Sequence, residues 1–216
     1  MTGLIFDMDG VIVDSNAMHR TAWAVFNRRY GLETTEEMHQ WTFGKRNDQI
    51  VRHYFGDGID AREAAARGRA KERLYREMAA GRTEEMLVPG LRAFLERHSG
   101  LPMAVGSNAE PENVAFVLEE TGLRGYFHVV VDGHQVHHPK PHPDVYLRGA
   151  ELLQTEPANC IVFEDSPSGV AAALAAGMRV IGLRTTYGNL PGAVLTIDNF
   201  LCGDLEPWLQ AQMRSV

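Results

Sequence analysis

The segment Gly3-Leu4-Ile5-Phe6-Asp7-Met8-Asp9-Gly10 is the most informative part of this chain about its architecture. Its apolar part, from Gly3 to Phe6, predicts a buried strand, because it carries no charge and ends abruptly in polar residues. Asp7 and Asp9 lie two residues apart, so at strand spacing both carboxylates point the same way. Open α/β sheets hold their chemistry at the carboxyl ends of their strands. The pair therefore indicates a functional site, or equally a polar turn after an edge strand.

Four more apolar runs in the chain predict strands. They cover residues 103–106, 129–131, 161–163 and 180–183, and a helical pattern precedes each of them. Strands that alternate with helices are typical of an α/β fold with a doubly wound parallel sheet. The chain between Phe6 and Met103 is far longer than one crossover helix needs, which indicates an insertion.

The insertion has a helical character. Residues 17–30 place aromatic side chains at helical spacing, and residues 61–80 are rich in the helix formers Ala, Arg and Glu. We therefore predict two domains, with hinges near Ser15-Asn16 and residues 82–86. The core domain consists of residues 1–13 plus 86–216, and the small helical cap domain consists of residues 14–85.

Polar side chains lie at four strand ends of the predicted sheet. They are Asp7 and Asp9, Ser107 and Asn108, Lys140, and Glu164 and Asp165. Because parallel strands end at one edge, we expect the four carboxylates, the hydroxyl and the ammonium in one crevice. Clustered carboxylates need a cation to coexist, and oxygen ligands favour Mg²⁺. The set suits phosphoryl transfer, with one carboxylate as nucleophile, a second moving protons, and the hydroxyl and ammonium binding phosphoryl oxygens.

The same residues carry a family resemblance. In chain order, Asp7-Met8-Asp9-Gly10-Val11, Ser107-Asn108, Lys140-Pro141 and Glu164-Asp165 resemble the four motifs of the haloacid dehalogenase superfamily. The insertion after the first motif is similar to the branch whose helical cap follows that motif. The resemblance runs through the whole core and implies a Rossmann-like fold with Mg²⁺-dependent chemistry through an aspartyl-phosphate.

The resemblance also implies roles for individual residues. Asp7 is expected to be the nucleophile and a metal ligand. Asp9 is expected to be the general acid and base, and its main-chain carbonyl also to bind the metal. Ser107 is expected to bind the phosphoryl group, and Lys140 to pair with phosphate and with Asp7.

The last motif completes the implied metal site. Asp165 is expected to bind Mg²⁺ directly, and Glu164 to support it through water. The dehalogenases and the phosphonate-cleaving members lack the second acid of the first motif. Because Asp9 is present here, the resemblance favours phosphate esters as substrates.

The predicted cap carries a second resemblance. His19 and Trp23 lie four residues apart, hence on one helix face. With Asp14, Lys71 and Tyr75 they resemble the cap of the β-phosphoglucomutases, where the histidine gates proton transfer and the lysine helps to hold the sugar phosphate. The alternative is that Trp23 packs inside the cap and His19 is solvated. The substrate-binding candidates are His19, Trp23, Lys45, Arg46, Lys71 and Asn108.

Two activities fit these motifs. A mutase needs a second cationic grip on a bisphosphate, for which the cap offers Lys45 or Arg46. The loop after Ser107 places Glu110 and Glu112 where a mutase needs a cation. This favours a phosphatase acting on a small phosphorylated metabolite, such as a sugar phosphate, over an isomerase moving phosphate between sugar positions. A non-catalytic binder is disfavoured, because clustered carboxylates are costly without a metal.

Composition limits the partners and the compartment. The formal net charge of −7 disfavours nucleic acid and anionic membranes, and no apolar stretch is long enough to span a bilayer. Isolated cysteines and the lack of a signal-peptide pattern lead us to expect a cytoplasmic protein. We expect a monomer or weak homodimer that binds a small phosphorylated molecule. One group of histidines lies in a Pro-broken loop whose spacing does not favour a zinc site; they are His134, His137, His138 and His142.

Overall fold

A computed structural model describes residues 2–42 and 45–213 of the chain. Within them, the strands form one parallel sheet in the order β3-β2-β1-β4-β5-β6. The strands are β1 (Gly3–Phe6), β2 (Met103–Gly106), β3 (Val129–Val131), β4 (Cys160–Glu164), β5 (Arg179–Leu183) and β6 (Leu195–Ile197). The chain winds outwards in both directions from β1, which confirms the predicted doubly wound sheet.

Helices cover the sheet and form the insertion. Those of the described residues are α1 (Asn16–Arg28), α2 (Glu36–Thr42), α3 (Asn47–Phe55), α4 (Ala61–Ala79), α5 (Leu91–Arg97), α6 (Pro111–Glu120), α7 (Asp144–Leu152), α8 (Pro167–Ala175) and α9 (Leu205–Met213). The first four lie between β1 and β2, which confirms a helical cap inserted after the first strand. The boundaries of the two domains stay a prediction. None of the described helices is both long and apolar enough to cross a membrane.

Four elements were absent from the sequence-based prediction. They are the strand β6, the cap helices α2 and α3, and the last helix α9. Each is short, with three residues in β6, seven in α2 and nine in each of α3 and α9, so none gives an extended periodic pattern. The predicted strands at 161–163 and 180–183 also extend by one or two residues.

The register of β1 and β4 brings the polar strand ends together. Phe6 pairs with Phe163, and the main-chain N–H of Asp7 donates to the carbonyl oxygen of Phe163 at 3.0 Å. Asp7 therefore leaves β1 beside Glu164, the last residue of β4. The strand order reverses at β1, which is where open α/β sheets bind their ligands.

Packing on both faces of the sheet fixes this register. Leu4 and Phe6 belong to one buried cluster, whereas Ile5 belongs to the cluster on the other face. The Phe6 ring stacks on that of Phe163, with centroids 4.7 Å apart. A slip of one residue would exchange the two faces, so the core also determines where Asp7 emerges.

The cap has a small core of its own, and the chain crosses into it at two adjacent points. Trp23 of α1, Ile50 of α3 and Leu74 of α4 pack in one buried cluster. At the crossings, the N–H of Asp14 donates to the carbonyl of Met86 at 2.7 Å. The two connections therefore run side by side, and their action as hinges stays a prediction.

Candidate active site

A cavity of about 380 Å³ lies between the carboxyl edge of the sheet and the cap. Every residue predicted for the site lines it, from the core and from the cap alike. They are Asp7, Asp9, His19, Trp23, Lys45, Arg46, Lys71, Ser107, Asn108, Lys140, Glu164 and Asp165. The structure thus brings the candidates together, and their roles stay predictions.

Lys140 lies between two carboxylates at the floor of the cavity. Its Nζ donates to Asp7 Oδ1 and to Glu164 Oε1, both at 2.7 Å. The Lys140 side chain is 3% exposed, so these contacts are shielded from water and strong. Burial alone would lower the pKa of Lys140, but the charges of Asp7 and Glu164 outweigh it and raise that pKa.

Glu164 makes further hydrogen bonds that hold this ion-pair cluster in place. Its carboxylate is fully buried and also accepts hydrogen bonds from the Tyr146 hydroxyl at 2.8 Å and from the Ser166 N–H at 2.8 Å. Ser166 in turn caps α8, because its Oγ accepts from the N–H of Gly169. A Cβ at Gly169 would overlap the Glu164 carboxyl. Only glycine lets the first turn of α8 approach this side chain.

Three carboxylates form a group that fits a divalent cation. Asp7, Glu164 and Asp165 each offer an oxygen, and these atoms lie within 4.8 Å of one another. Burial and the Glu164 charge raise the pKa of Asp7 to about 7 against the opposing effect of Lys140. Burial, Glu164 and Asp7 raise the pKa of Asp165 well above its usual value. An oxygen-only set of mutually repelling buried acids is the chemistry that Mg²⁺ relieves.

Asp165 is held by a residue that the sequence analysis did not identify. The Thr186 hydroxyl donates to Asp165 Oδ2. The amide of Asn16, where α1 begins, donates to the same Thr186 hydroxyl. Gly10 passes close by, since a Cβ there would overlap the Asp165 carboxyl. The glycine of the first motif is therefore required by a close approach as well as by its positive φ of 83°.

Asp9 lines the same cavity but stands apart from the three-carboxylate group. Its Oδ1 accepts a hydrogen bond from the Ser15 hydroxyl at 2.5 Å and lies 3.5 Å from His19 Nε2. Burial opposes ionisation, yet the contacts with His19 and Ser15 outweigh it and lower the pKa of Asp9. Its carboxylate therefore faces the cap, as expected of a group that exchanges protons with substrate.

Ser107 and Asn108 follow β2 directly. Ser107 is 2% exposed, and its Oγ accepts from the N–H of Ala109 at 3.1 Å. Asn108 Oδ1 accepts from the N–H of Lys140 at 3.1 Å. This loop therefore positions the Lys140 backbone, while Ser107 and Asn108 line the cavity.

The cap side of the cavity carries a cluster of interacting polar and aromatic groups. Lys71 Nζ lies 2.7 Å from His19 Nδ1, and it also lies above the Trp23 ring, 5.0 Å from the centroid. The imidazole of His19 stacks on Tyr75 with centroids 3.8 Å apart. Trp23 is 2% exposed and packs in the cap core while it lines the cavity. His19 is not a freely solvated side chain.

The outer part of the cavity combines cap cations with one core carboxylate. Lys45 and Arg46 line it from the cap, and Glu110 lines it from the core. The Asn47 amide donates to Glu110 Oε1 at 3.2 Å. The expectation that Glu112 lies here too is wrong. Glu112 is exposed in the first turn of α6 and does not line the cavity, whereas Glu110 precedes that helix and does.

Among the described residues, the histidine-rich loop does not bring three ligand atoms within reach of one ion. The only described group with three ligand atoms in reach of one ion is the acidic one. His138 instead pairs with Asp144 at 3.1 Å, and His134 lines the cavity.

Several site residues were missing from the sequence analysis. Tyr146, Thr186, Glu72 and Asn113 are in or beside the cavity wall, and none belongs to a recognised motif. Of these four, only Thr186 could have been found from the sequence, because it follows the predicted strand at 180–183 and so lies at the same edge of the sheet.

Comparison with known proteins agrees with this geometry. The model of the haloacid dehalogenase-like hydrolase family matches residues 1–177. Over 183 residues the chain is 35% identical to fructose-1-phosphate phosphatase YqaB of Escherichia coli, covering 84% of this chain and 96% of that protein. It is 34% identical over 184 residues to hexitol phosphatase A of the same species, covering 84% and 82%.

A solved structure shows the same architecture. The β-phosphoglucomutase of Clostridium difficile superimposes with a TM-score of 0.86 at 24% identity, covering 100% of this chain and 98% of that one. At this identity the likeness shows a shared fold, and it does not assign an activity.

Proposed function

Because this chain belongs to the haloacid dehalogenase-like hydrolase family, we propose that it hydrolyses phosphate monoesters of small phosphorylated sugars, with the phosphoryl group carried transiently on Asp7. The observation that supports this function is the cluster at the end of β1, where the buried Asp7 carboxylate lies 2.7 Å from Lys140 Nζ and beside Asp165. The names of two relatives, both phosphatases of phosphorylated sugars or hexitols, support the same substrate class.

The proposed first step is attack by a carboxylate oxygen of Asp7 on phosphorus. Lys140 engages Oδ1, and Oδ2 takes no hydrogen bond from the described residues, so it is available to form the new P–O bond. The ester P–O bond breaks, and its oxygen takes a proton from the Asp9 carboxyl, which is protonated in the substrate complex because the negative charge of the bound phosphate opposes its ionisation and offsets the effect of His19 and Ser15. The Ser107 hydroxyl and the Lys140 ammonium bind the phosphoryl oxygens and stabilise the charge that develops on them.

The proposed second step regenerates the enzyme. Asp9, now ionised, accepts a proton from a water molecule whose oxygen attacks the phosphorus. The bond between phosphorus and the Asp7 oxygen breaks and inorganic phosphate leaves. Mg²⁺ held by Asp7, Asp165 and the main-chain carbonyl of Asp9 would neutralise the negative charge of the acids and of the phosphoryl group.

Glu110 favours hydrolysis of monophosphates. Its carboxylate lines the cavity beyond the acidic cluster, where a second phosphate of a bisphosphate would meet like charge. Burial is the main cause that raises the pKa of Glu110, and the charge of Glu72 adds to it. The Glu110 carboxylate provides acceptors, and the neighbouring Asn47 amide provides a donor, for sugar hydroxyls.

A mutase is the second candidate, and one observation favours it. Lys45 and Arg46 line the cavity from the cap, so cations are present for a distal phosphate. This candidate predicts net conversion of β-glucose 1-phosphate to glucose 6-phosphate when a bisphosphate primes the enzyme.

One experiment decides between the candidates. The purified protein is assayed with Mg²⁺ for phosphate release over a panel of sugar and polyol monophosphates, beside a mutase assay. We expect phosphate release that Asp7→Asn lowers by about a thousandfold or more, whereas Asp57→Asn, a change at an exposed acid, leaves it intact. If no ester releases phosphate and a sugar phosphate is isomerised instead, the phosphatase is refuted and the mutase takes its place.

A further inference from the structure

A buried ion pair that the proposed chemistry does not use lies in the cap wall of the cavity. Lys71 Nζ donates to Glu72 Oε1 at 2.9 Å, and the two side chains are 2% and 5% exposed. Burial alone would raise the pKa of Glu72. The charge of Lys71 is the largest of the effects that outweigh burial and lower this pKa to about 2, and hydrogen bonds from Lys71 and Asn113 add to it. Glu72 is therefore a buried carboxylate that stays ionised.

Glu72 also connects the cap to the core. Its Oε2 accepts from the Asn113 amide at 2.6 Å, and Asn113, on the first turn of α6, is 1% exposed. Arg76 Nη1 lies 2.6 Å from Asn113 Oδ1. Because a guanidinium only donates, the Asn113 oxygen faces Arg76 and its NH₂ group must face Glu72. The hydrogen bond that joins the core to the cap therefore runs from the Asn113 NH₂ group to the Glu72 carboxylate.

The other end of this connection reaches Asp9. Lys71 Nζ lies 2.7 Å from His19 Nδ1, and an ammonium has no acceptor, so Nδ1 accepts and the neutral ring carries its proton on Nε2. That Nε2 lies 3.5 Å from Asp9 Oδ1 and has no closer polar partner among the described residues. The hydrogen-bonded chain Asn113–Glu72–Lys71–His19 thus starts on the core, runs through the cap and ends with a ring nitrogen 3.5 Å from the carboxylate of Asp9, the proposed proton-transfer group.

We propose that Glu72 is a positioning residue that couples closure of the cap to the placement of Lys71 and, through it, of His19 against Asp9. Lys71 has three N–H groups, of which Glu72 and His19 take two, so one remains for a ligand in the cavity that Lys71 lines. The inference rests on the proposed function, because it assigns a purpose to the geometry around Asp9.

Closure of the cap is what makes this ion pair strong. Asn113 belongs to the core, so opening the cap removes its hydrogen bond to Glu72 and admits water to the Lys71–Glu72 pair. In water the attraction between the charges falls steeply, and Lys71 is released from its fixed position. With the cap closed, the dry pair holds Lys71 in one place, and the histidine beyond it takes a single tautomer.

The test compares Glu72→Gln with Glu77→Gln, the same change at an exposed position on the same helix. The amide introduced by Glu72→Gln would keep an acceptor for Asn113 but lose the charge that holds Lys71. We expect kcat for the best monophosphate to fall about tenfold or more with KM changed less than about threefold, because the interaction operates in the closed complex. Glu77→Gln is expected to match wild type in both constants.

A spectroscopic measurement reads His19 directly. Proton–nitrogen correlation spectra of the imidazoles, recorded near pH 8.5 where histidine is neutral, report the tautomer, and His19→Gln identifies the signal. We expect the Nε2–H form in wild type and in Glu77→Gln, and a growing Nδ1–H form in Glu72→Gln. A folded Glu72→Gln protein with unchanged His19 signals and unchanged kcat would overturn the proposal.

A second variant keeps the test decisive if Glu72→Gln does not fold. Asn113→Ala removes the core end of the chain and leaves the Lys71–Glu72 pair intact. We expect it to shift the His19 signals in the same direction and to lower kcat. Where Glu72→Gln does fold, the double variant should lower kcat little beyond the worse single change, because the two residues act in one chain. If the two changes lower kcat independently, so that their fold losses multiply, the coupling is contradicted. If wild type hydrolyses no ester, the proposed function fails, while the His19 spectra still decide this inference.

Discussion

The ammonium of Lys140 donates a hydrogen bond to Asp7 Oδ1 across 2.7 Å, although 133 positions separate the two residues in the chain. The contact forms because the loop after β3 returns Lys140 to the carboxyl end of β1, where Glu164 accepts from the same ammonium. One buried cation thus offsets two buried carboxylates. The proposed nucleophile is held in place by a charge that also suits a phosphoryl group.

Replacing this cation is expected to lower both stability and activity. Lys140→Met keeps the aliphatic chain but leaves Asp7 and Glu164 facing each other without a counter-charge. Breaking a buried pair in this way costs about 3–5 kcal/mol of unfolding free energy, measured by urea unfolding without Mg²⁺. Lys45→Met, at an exposed lysine, is the matched stability control and should change it by less than about 0.5 kcal/mol. An equal effect of both changes would contradict the assigned cluster.

Gly169→Ala is expected to destabilise the protein although it places a better helix former in α8. By helix propensity alone the change would stabilise by about 1 kcal/mol. Here the new Cβ would overlap the Glu164 carboxyl, so Glu164 must leave its bonds to Lys140 and Tyr146, and activity is lost with it.

The control for that change is Gly149→Ala in α7. The new Cβ of this variant would lie 3.4 Å from Ile5 Cδ1, an ordinary contact, so the protein should unfold at the same or a slightly higher temperature than wild type, and phosphate release should be unchanged. A Gly169→Ala protein as stable and active as Gly149→Ala would show that the approach to Glu164 is not required.

Glu110 is expected to select against a second phosphate. Glu110→Lys replaces a repelling charge in the cavity by an attracting one, so kcat/KM for a sugar bisphosphate should rise about tenfold or more relative to the monophosphate. The measurement is the ratio of the two constants. Glu112→Lys adds the same charge two residues away on an exposed position and should leave the ratio unchanged; a rise in both variants would point to a general charge effect.

Mg²⁺ is expected to stabilise the protein through the three-carboxylate group. At a concentration about 100 times its Kd, a cation that binds only the folded state adds about 2.7 kcal/mol, or a rise in Tm of roughly 5–10 °C for a chain of this size. Chelation by EDTA should remove the rise. Asp165→Asn should abolish it and Asp57→Asn should keep it; a rise that survives Asp165→Asn would place the ion elsewhere.

Glu72 is expected to contribute to stability at neutral pH and to lose that contribution in acid. Its pKa is lowered from 4.5 to about 2 in the folded protein, so the unfolded chain binds a proton first as the pH falls. The contribution, about 3 kcal/mol, is fully present above about pH 5 and lost as the pH falls towards 2. The measurement is the unfolding free energy of wild type minus that of Glu72→Gln at about pH 7 and about pH 3.

The matching control at both pH values is Glu77→Gln, whose carboxylate is exposed. The difference between wild type and Glu77→Gln should be near zero throughout. A wild-type advantage over Glu72→Gln that grows in acid would have the wrong sign and would refute a lowered pKa.

Five of the six strands, the helical insertion and the candidate residues for the chemistry could be predicted from the sequence alone. Apolar runs predict buried strands because a strand covered on both faces tolerates no charge, and the polar residues after them must then meet at one edge. Asp7, Asp9, Lys140 and Asp165 could be recognised because each directly adjoins a pattern that is local in the chain.

Which side chains support those residues, and which neighbouring acids face the cavity, depends on contacts between distant parts of the folded chain. Glu72 and Asn113 are 41 positions apart and meet across the cap–core seam, and Glu110 faces the cavity while Glu112 does not. Such contacts depend on the rotation of each helix and on how the cap closes on the core. Packing sets both, and no periodic pattern within one segment encodes them.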